Sequence, residues 1–386
     1  MRMVMRVAIV AGETSGDLLG AGLMRAISAR HPGTRFEGIC GSEMTAAGCR
    51  SLYPMDRLSV LGLFETFGRY PELIPMRRRL ARQFIADPPD VFVGIDAPDF
   101  NLNLELMLRE AGIPTVHYAS PTVWAWRQYR LRKIRRAVDL MLTLFPFEAE
   151  FYHAHGMAAK FVGHPLADMI PQSSDRAAAR EALGFPRRIE LVALLPGSRR
   201  TEVDFLADPM MGTAVWLAER RPGVEFVVPL VSDAVRARFE QARARYPGHP
   251  PMRLVAGNAR AAMTAADVVL LASGTASLEA MLLKRPMVIV YRMMTLTWII
   301  ANLVVNSDYV GLPNLLAKRR LVPELLQNDA VPERMGAEVL RFLEDPALVA
   351  SLEREFGKIH ERLRNDADER AADAVLELLD ARERAA

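Results

Sequence analysis

The sequence predicts an α/β protein made of two doubly wound domains with parallel sheets. Short runs of Val, Ile and Leu alternate with segments of helical spacing, which is typical of strands buried on both faces of a sheet. The chain has 386 residues, 51% of them hydrophobic, which is enough for two domains of ordinary size. A stretch near residue 170 with Pro and paired Ser is typical of a linker between them.

The domain boundaries follow from this linker. We predict a first domain over residues 1–167, a second over 168–360, and a helical tail over 360–386 that could pack on the first. Apolar runs predict strands in the first domain at 6–12, 90–98, 113–120, 141–148 and 159–165. Those of the second domain lie at 189–198, 224–230, 252–257, 265–274 and 285–292. In such sheets ligands bind beyond the carboxyl ends of the strands, so the turns that follow the strands are candidate sites.

Charge and hydropathy exclude several classes of protein. A net charge of +3 argues against a general nucleic-acid-binding protein. The apolar run at the N-terminus leads directly into a strand, unlike a secretory signal. Arg292 and Asn302 interrupt the long apolar stretch 287–305, which predicts a buried strand and a helix rather than a membrane span. Cys40 and Cys49 fit no zinc or redox spacing, and we expect reduced thiols, as in a cytosolic protein.

Common cofactor motifs are missing from the sequence. No GxxxxGK[ST] loop is present, and residues 12–22, GETSGDLLGAG, do not form GxGxxG, so ATP hydrolysis and dinucleotide redox chemistry lack their motifs. The histidines are scattered. We therefore predict no cofactor and no catalytic metal.

Two turns of the second domain are candidate anion sites. In VVLLASGTASLEAMLL, Ser273, Gly274 and Thr275 separate a strand from a helix, and free N–H groups at a helix N-terminus favour an anion. Glu279, one turn into that helix, could accept hydrogen bonds from a ribose. Ser198, Arg199 and Arg200 occupy the same kind of turn in LLPGSRRTEV. Ordinary N-capping with solvated arginines is the alternative for both turns.

The first domain offers a candidate general base. Asp96 and Asp99 follow the buried strand in GIDAPDFN, and a carboxylate at a sheet edge can accept a proton if its pKa is suitable. Helix capping is the alternative, and it suits Asp99 better. The glycines between residues 12 and 22 could close a loop on a ligand or simply make a tight connection. Trp124 and Trp126 could line a sugar or acyl site, or pack in the core.

A segment of the first domain combines apolar and basic residues, as interfacial elements on anionic lipid do. The candidate membrane face consists of Phe64, Phe67, Tyr70, Leu73, Ile74, Arg77 and Arg78. A second basic run, RQYRLRKIRR, spans residues 127–136. The alternatives are an amphipathic helix packed on its own sheet, or a basic patch that binds a phosphate.

Six motifs occur in order along the chain: AGETSGDLLGAGL, VGIDAPDFN, SPTVWAWR, LLPGSRRTEV, LLASGTASLE and YVGLPNLLA. This set resembles the lipid-A-disaccharide synthases, and the resemblance covers residues 6 to about 380. It implies a metal-independent, inverting glycosyltransferase of the B fold, with two Rossmann-like domains facing across a cleft. The implied reaction joins UDP-2,3-diacylglucosamine to 2,3-diacylglucosamine 1-phosphate and releases UDP. The implied location is cytoplasmic, peripheral on the inner face of the cytoplasmic membrane.

The resemblance also implies roles for individual residues. Asp96 would be the base for the acceptor's 6-hydroxyl, with Glu13 and Ser15 near the reacting centre. Arg199 and Asn314 would hold the UDP leaving group, and the turn around Gly274 with Glu279 would complete the nucleotide pocket. The family pattern has a small residue where this chain has Arg200, so either arginine could meet the diphosphate. A homodimer is a further expectation. The competing hypotheses are another UDP-sugar enzyme, such as a lipid-linked N-acetylglucosaminyltransferase or a 2-epimerase, and a non-enzymatic, membrane-associated sugar-nucleotide-binding protein.

Overall fold

The computed structural model describes residues 4–58, 66–294, 297–298 and 307–384, with side chains of the helix that begins at Thr66 described from Leu73 onward. The strands are β1 Arg6–Ala11, β2 Arg35–Cys40, β3 Cys49–Pro54, β4 Val91–Ile95, β5 Thr115–Tyr118, β6 Leu140–Thr143, β7 Ala159–Phe161, β8 Leu191–Leu195, β9 Glu225–Leu230, β10 Met252–Ala256, β11 Val268–Ala272, β12 Met287–Tyr291 and β13 Glu324–Leu326.

The helices alternate with these strands. They are α1 Thr14–Arg30, α2 Ser42–Ala46, α3 Thr66–Ala86, α4 Pro98–Glu110, α5 Leu131–Ala137, α6 Pro146–Ala154, α7 Pro165–Met169, α8 Arg176–Ala182, α9 Arg200–Arg220, α10 Asp233–Arg243, α11 Ala259–Ala265, α12 Thr275–Leu282, α13 Leu312–Ala317, α14 Pro332–Glu344, α15 Pro346–Leu363 and α16 Ala367–Glu383. Single 3-10 turns lie at Met55–Arg57, Gln128–Arg130 and Gln327–Asp329.

The described residues form two compact units. The first runs to Asp168 and resumes at Leu363, and the second is Met169–Arg362. In the first unit, seven parallel strands lie in the order β3-β2-β1-β4-β5-β6-β7. Val7 and Ile9 of β1 face the layer that holds α1 and α16, and the alternate residues Ala8 and Val10 face α3 and α4. Burial on both faces explains why these strands are continuously apolar.

The C-terminal helix α16 belongs to the first unit, where it packs against α1. Its start is fixed by Asp168, whose carboxylate accepts the backbone N–H groups of Asn365, Asp366 and Ala367 at 3.0, 3.1 and 2.8 Å. These N–H groups have no partner inside a helix, so the carboxylate caps α16 from a distant part of the sequence.

The second unit has six parallel strands in the order β10-β9-β8-β11-β12-β13. The central strands β8 and β11 are buried along their whole length. The strand predicted within 287–305 is β12, and most of the residues after Met294 in that stretch lie outside the described part of the chain. Among the described residues, none of the helices has the length and apolar character needed to traverse a bilayer.

The cysteines differ from the sequence expectation. Cys40 at the end of β2 and Cys49 at the start of β3 form a disulfide, so the prediction of two reduced thiols is wrong. They are nine positions apart in sequence, but the chain returns through α2, and the Cα atoms lie 6.6 Å apart. That distance is within the range a disulfide can bridge. The cysteines therefore give no support to a reducing compartment.

Candidate active site

The strand order places two turns side by side in each unit. In the first unit β1 pairs with β4, with Ala11 opposite Ile95, and in the second β8 pairs with β11, with Leu195 opposite Leu271. These are the points at which the order of each sheet reverses, where α/β proteins bind ligands. The turns after these four strands, with the helix starts that follow them, contain most of the catalytic and donor-binding residues predicted from sequence.

Asp96 directly follows β4 in an unusual backbone conformation. Asp96 and Ala97 are both left-handed, with φ of 50° and 42°. The turn approaches the one after β1 so closely that a Cβ at Gly12 would lie 2.3 Å from Cβ of Ala97. Glycine is therefore required at position 12. Consecutive left-handed non-glycine residues are costly and occur preferentially at functional sites.

A buried amide holds this turn in place. Nδ2 of Asn101 donates toward the carbonyl oxygens of Val10, Ile95 and Asp96 at 3.3, 3.1 and 2.8 Å. Asn101 is fully buried and lies one turn into α4. It satisfies backbone groups at the ends of both strands, and so it fixes the position of Asp96 relative to β1.

The carboxyl group of Asp96 has the properties of a base for neutral pH. Its pKa is raised to about 6, mainly by loss of hydration and next by the nearby carboxylate of Glu13. His117 and the hydroxyl of Ser15, which lies 3.4 Å from Oδ2, act in the opposite direction. Glu13 and Ser15 are exposed at the start of α1. The three predicted residues of the first unit are thus brought together.

A buried ion pair behind Asp96 was missed by the sequence reasoning. Nδ1 of His117 lies 2.7 Å from Oε1 of Glu105, and neither side chain is exposed. Gly94 makes room for it, because a Cβ there would lie 2.2 Å from the Glu105 oxygen. A glycine inside a strand often marks such a close approach. In the sequence, a glycine inside one apolar strand and a histidine inside another are the features that could have indicated this buried pair.

In the second unit, the turn after β8 is already occupied by a carboxylate. Oε2 of Glu202 accepts the backbone N–H groups of Ser198 and Arg199 at 2.9 and 3.1 Å. Oε1 lies 3.6 Å from the guanidinium of Arg199, whose side chain is 70% exposed. The backbone N–H groups of this turn are therefore capped by a side chain, as the N-capping alternative expects. The arginine side chains, including the exposed Arg200, remain directed to solvent.

The turn after β11 has a different character. Gly274 stands at the N-cap of α12, and no side chain caps this end of the helix. The space beside Gly274 is open, since a Cβ there would meet nothing within 4 Å among the described residues. Gly274 and Thr275 are exposed and Ser273 is half-buried. This arrangement is suited to an anion at the helix N-terminus.

Glu279 has a partner that the sequence did not reveal. Nε of Arg260 lies 3.3 Å from Oε2 of Glu279, whose side chain is 24% exposed. Arg260 comes from α11, which follows β10. The pair orients the Glu279 carboxylate, whose oxygens can accept hydrogen bonds from a diol.

Asn314 lies in the interior of the second unit. Its Nδ2 donates to the carbonyl of Val322 and to Oε1 of Glu324 at 3.0 and 2.7 Å. Its Oδ1 accepts the N–H groups of Leu321 and Val322 at 2.7 and 3.0 Å. The side chain is fully buried, so it shapes the segment before β13. A direct contact with UDP stays a prediction.

The candidate membrane face is only partly described. Phe64 lies outside the described residues, as do the side chains of Phe67 and Tyr70. Leu73 is buried in the core between α3, α4 and the sheet, so its place on a membrane face is corrected: it packs inward. Ile74 is half-buried, and so is Arg77, which lies 5.9 Å from the ring of Phe100. Arg78 is exposed.

Trp124 and Trp126 both pack against other side chains. Trp124 makes an edge contact with Phe147 at 4.9 Å, and Arg127 lies 4.0 Å above the ring of Trp126.

Metal ligands are not grouped in the described part of the chain: no three His, Cys, Asp or Glu side chains are placed to hold an ion. Metal independence stays a prediction.

Solved structures with a similar fold include two glycosyltransferases and an epimerase. The glycotransferase of kitacinnamycin is 18% identical, with a TM-score of 0.64 over 96% of this chain and 98% of that one. The calicheamicin glycosyltransferase CalG4 is 15% identical, with a TM-score of 0.61 over 99% of both chains. A putative UDP-N-acetylglucosamine 2-epimerase from Listeria monocytogenes is 15% identical, with a TM-score of 0.63 over 96% and 94%. The two sheets and this likeness define an α/β protein of the glycosyltransferase B fold, as predicted.

Sequence comparison identifies the family. The model of the Lipid-A-disaccharide synthetase family matches residues 7–375. The lipid-A-disaccharide synthase of Hahella chejuensis is 51% identical over 97% of this chain and 94% of that protein. That of Pseudomonas aeruginosa strain UCBPP-PA14 is 52% identical over 98% and 99%. The chain belongs to the lipid-A-disaccharide synthetase family, which confirms the resemblance. It is a hexosyltransferase of lipid A biosynthesis that uses a UDP-sugar donor and a sugar-phosphate acceptor.

Proposed function

We propose that Asp96 is the general base when this chain condenses UDP-2,3-diacylglucosamine with 2,3-diacylglucosamine 1-phosphate. The observation that carries the proposal is the half-buried carboxyl group of Asp96, held at the switch point of the first sheet with its pKa raised to about 6. Such a group is ionised at neutral pH and still basic enough to accept a hydroxyl proton in the transition state.

The reaction balances with this assignment. The acceptor's 6-hydroxyl oxygen forms a bond to the anomeric carbon of the donor as the bond from that carbon to the diphosphate breaks. The bonding electrons leave with UDP, and the hydroxyl proton passes to Asp96. Attack opposite the leaving group inverts the anomeric centre and gives the β-1,6 linkage. Ser15 and Glu13, beside Asp96, are proposed to orient the carboxylate and the acceptor hydroxyl.

We assign the acceptor to the first unit and the donor to the second. The open turn around Gly274 supports a diphosphate site, because its helix N-terminus carries no side-chain cap. Arg199, and next to it Arg200, supply exposed guanidinium groups on the neighbouring turn. Negative charge grows on the diphosphate as UDP leaves, so donors aimed at it stabilise the transition state. The Glu279–Arg260 pair is suited to the ribose hydroxyls.

The place of action and the assembly are also proposals. The acyl chains of both substrates favour a peripheral protein on the inner face of the cytoplasmic membrane, attracted to anionic lipid. Because Leu73 packs inward, the proposed membrane face consists of Phe64, Phe67 and Tyr70 with Ile74 and the basic residues of α3. A homodimer is proposed as well, and sedimentation of the purified protein tests it.

A turnover assay tests the proposed reaction. Purified protein is mixed with both diacylated substrates in detergent with EDTA, and mass spectrometry looks for the disaccharide 1-phosphate. Product in EDTA supports the substrates and metal independence together. Asp96→Asn should reduce turnover by about two to four orders of magnitude and leave the affinity for UDP unchanged. Retained turnover in that variant would refute Asp96 as the base.

A separate assay tests the membrane face. The double variant Phe64→Ser, Phe67→Ser should bind vesicles that contain phosphatidylglycerol more weakly than the unchanged protein, with the same far-ultraviolet circular dichroism. Equal binding would count against this face. The comparison is best made at low ionic strength as well as at 150 mM salt, because the basic residues contribute a screened attraction.

A further inference from the structure

Three basic side chains converge on the outer surface of α4, close to its N-terminus. The guanidinium of Arg130 pairs with the carboxylate of Asp99. Nη1 of Arg77, from α3, donates to the carbonyl oxygen of Asp99 at 3.4 Å. Nζ of Lys133, from α5, donates to Oδ1 of Asn103 at 2.6 Å. We call Arg77, Arg130 and Lys133 the cationic cluster.

The cluster lies on the side of α4 that is turned away from the sheet. Asp99 and Asn103 are four residues apart, so they share one face of the helix. Asn101 and Glu105 occupy the opposite face and are fully buried against the strands. The side chain of Asp99 is 41% exposed, so a solute can reach this surface.

The cations of the cluster repel one another. Arg130 is paired with Asp99, and Glu105, which attracts Lys133 from the buried face of α4, is paired with His117. The pKa of Lys133 is lowered, first by partial burial and then by the neighbouring charges of Arg130 and Arg77, against the attraction of Glu105. An anion bound among the three cations would relieve this repulsion.

The distance from the cationic cluster to the proposed base Asp96 is about the length of one sugar. Asp96 precedes the first residue of α4, and a helix rises about 1.5 Å per residue, so Asp99 and Asn103 lie about 5 to 10 Å along the axis from it. A hexose ring separates its 6-hydroxyl from a phosphate on C1 by a comparable length. One sugar could therefore place its hydroxyl at Asp96 and its phosphate at the cluster.

We propose that the cationic cluster binds the phosphate monoester of the acceptor sugar. The inference rests on the proposed function, in which the first unit takes the acceptor. Arginine offers paired N–H donors to a phosphate and lysine a point charge, so the residue types fit a dianion. Asp99 then serves to hold Arg130 in place, and Asn103 does the same for Lys133.

The test compares two substrates and two proteins. Lys133→Met should raise the KM for 2,3-diacylglucosamine 1-phosphate about 10- to 100-fold, with the KM for the UDP-sugar unchanged. With 2,3-diacylglucosamine, which lacks the phosphate, the unchanged protein and the variant should have the same KM. An equal effect of the substitution on both acceptors would overturn the proposal, because Lys133 would then act without the phosphate.

Matched controls separate this effect from net charge and from folding. Arg132, on the same helix, is exposed, and Arg132→Met removes one positive charge without touching the cluster, so its KM values should stay unchanged. Lys133→Arg keeps the charge and should retain most of the affinity for the phosphorylated acceptor. If Lys133→Met does not fold, Lys133→Gln with the same pair of acceptors replaces it. Loss of affinity in Lys133→Arg as large as in Lys133→Met would also overturn the proposal.

A vesicle assay decides whether the phosphate belongs to the acceptor or to a membrane lipid. Vesicles of phosphatidylcholine with phosphatidylglycerol are used without substrates. Weaker vesicle binding by Lys133→Met, together with an unchanged KM for the phosphorylated acceptor in detergent, would assign the cluster to lipid headgroups and refute the proposal. Failure of the unchanged protein to form any product would instead refute the proposed function.

Discussion

The carboxylate of Glu105 lies 2.7 Å from Nδ1 of His117, and both side chains are fully buried beneath the turn that carries Asp96. Burial alone disfavours the charged imidazole, but Glu105 outweighs it, and the pKa of His117 is raised. The positive charge of His117 in turn lowers the pKa of Asp96. Lys133 and Glu13 are the other charged groups that act on this set, on Glu105 and Asp96 respectively. The pair therefore tunes the proposed base without touching substrate.

Glu105→Gln tests this tuning. The substitution removes the anion that keeps His117 protonated, so the pKa of Asp96 should rise. The acidic limb of the kcat/KM profile, expected near pH 6 from the pKa of Asp96, should move upward by about half to one unit. Glu110→Gln, an exposed position at the end of the same helix, is the control and should leave the limb in place. An unmoved limb in Glu105→Gln would show that the pair has only a structural role.

Asp96→Asn should make the protein more stable at neutral pH. The pKa of Asp96 is higher in the fold than in the unfolded chain, so ionisation of this group destabilises the fold. This loss of unfolding free energy is absent below about pH 4, where Asp96 is protonated in both states. It grows between about pH 4 and pH 6 and is complete above that range, where it reaches at most about 3 kcal/mol. Urea unfolding at pH 4 and pH 8 measures it. Equal stability of the two proteins at both pH values would contradict the raised pKa.

Arg199 and Arg200 should differ in their effect on donor binding. Arg199 is the N-cap residue beside Glu202, and its charge acts on Tyr291 at the end of β12, the strand on the far side of β11 from β8. Arg200 is already the first residue of the helix. We expect Arg199→Met to raise the Kd for UDP about 10- to 100-fold, and Arg200→Met to have a smaller effect. Calorimetric titration with UDP measures both. The reverse order would assign the diphosphate to Arg200.

Asn314→Ala should act mainly on stability. The substitution removes four hydrogen bonds and leaves the N–H groups of Leu321 and Val322 without their acceptor. A loss of about 2 to 4 kcal/mol in the free energy of unfolding is expected. The Kd for UDP of the folded variant, measured well below its melting temperature, should change much less. A large increase in that Kd with unchanged stability would restore Asn314 as a direct UDP ligand.

The sequence predicted much of the fold and part of the candidate active site. The apolar strands, the polar turns at their ends and the candidate base Asp96 follow from local patterns, because a strand buried on both faces must be continuously apolar. The helix-like pattern over residues 367–383 predicted a helix, and it coincides with α16. The family motifs added the reaction.

Only the tertiary structure decided which turns meet. The order β1-β4 places Asp96 beside Glu13 and Ser15, and the order β8-β11 places the turn that carries Arg199 next to the turn that carries Gly274, although about 80 residues separate the two turns in each unit. The local sequence pattern of a strand does not depend on which distant strand it pairs with, so the pairing could not be predicted from it. The side-chain partners of the predicted residues could not be predicted for the same reason. Glu202 on the turn after β8, Arg260 beside Glu279 and His117 beside Glu105 are contacts made by packing, and packing sets the charge that each site presents.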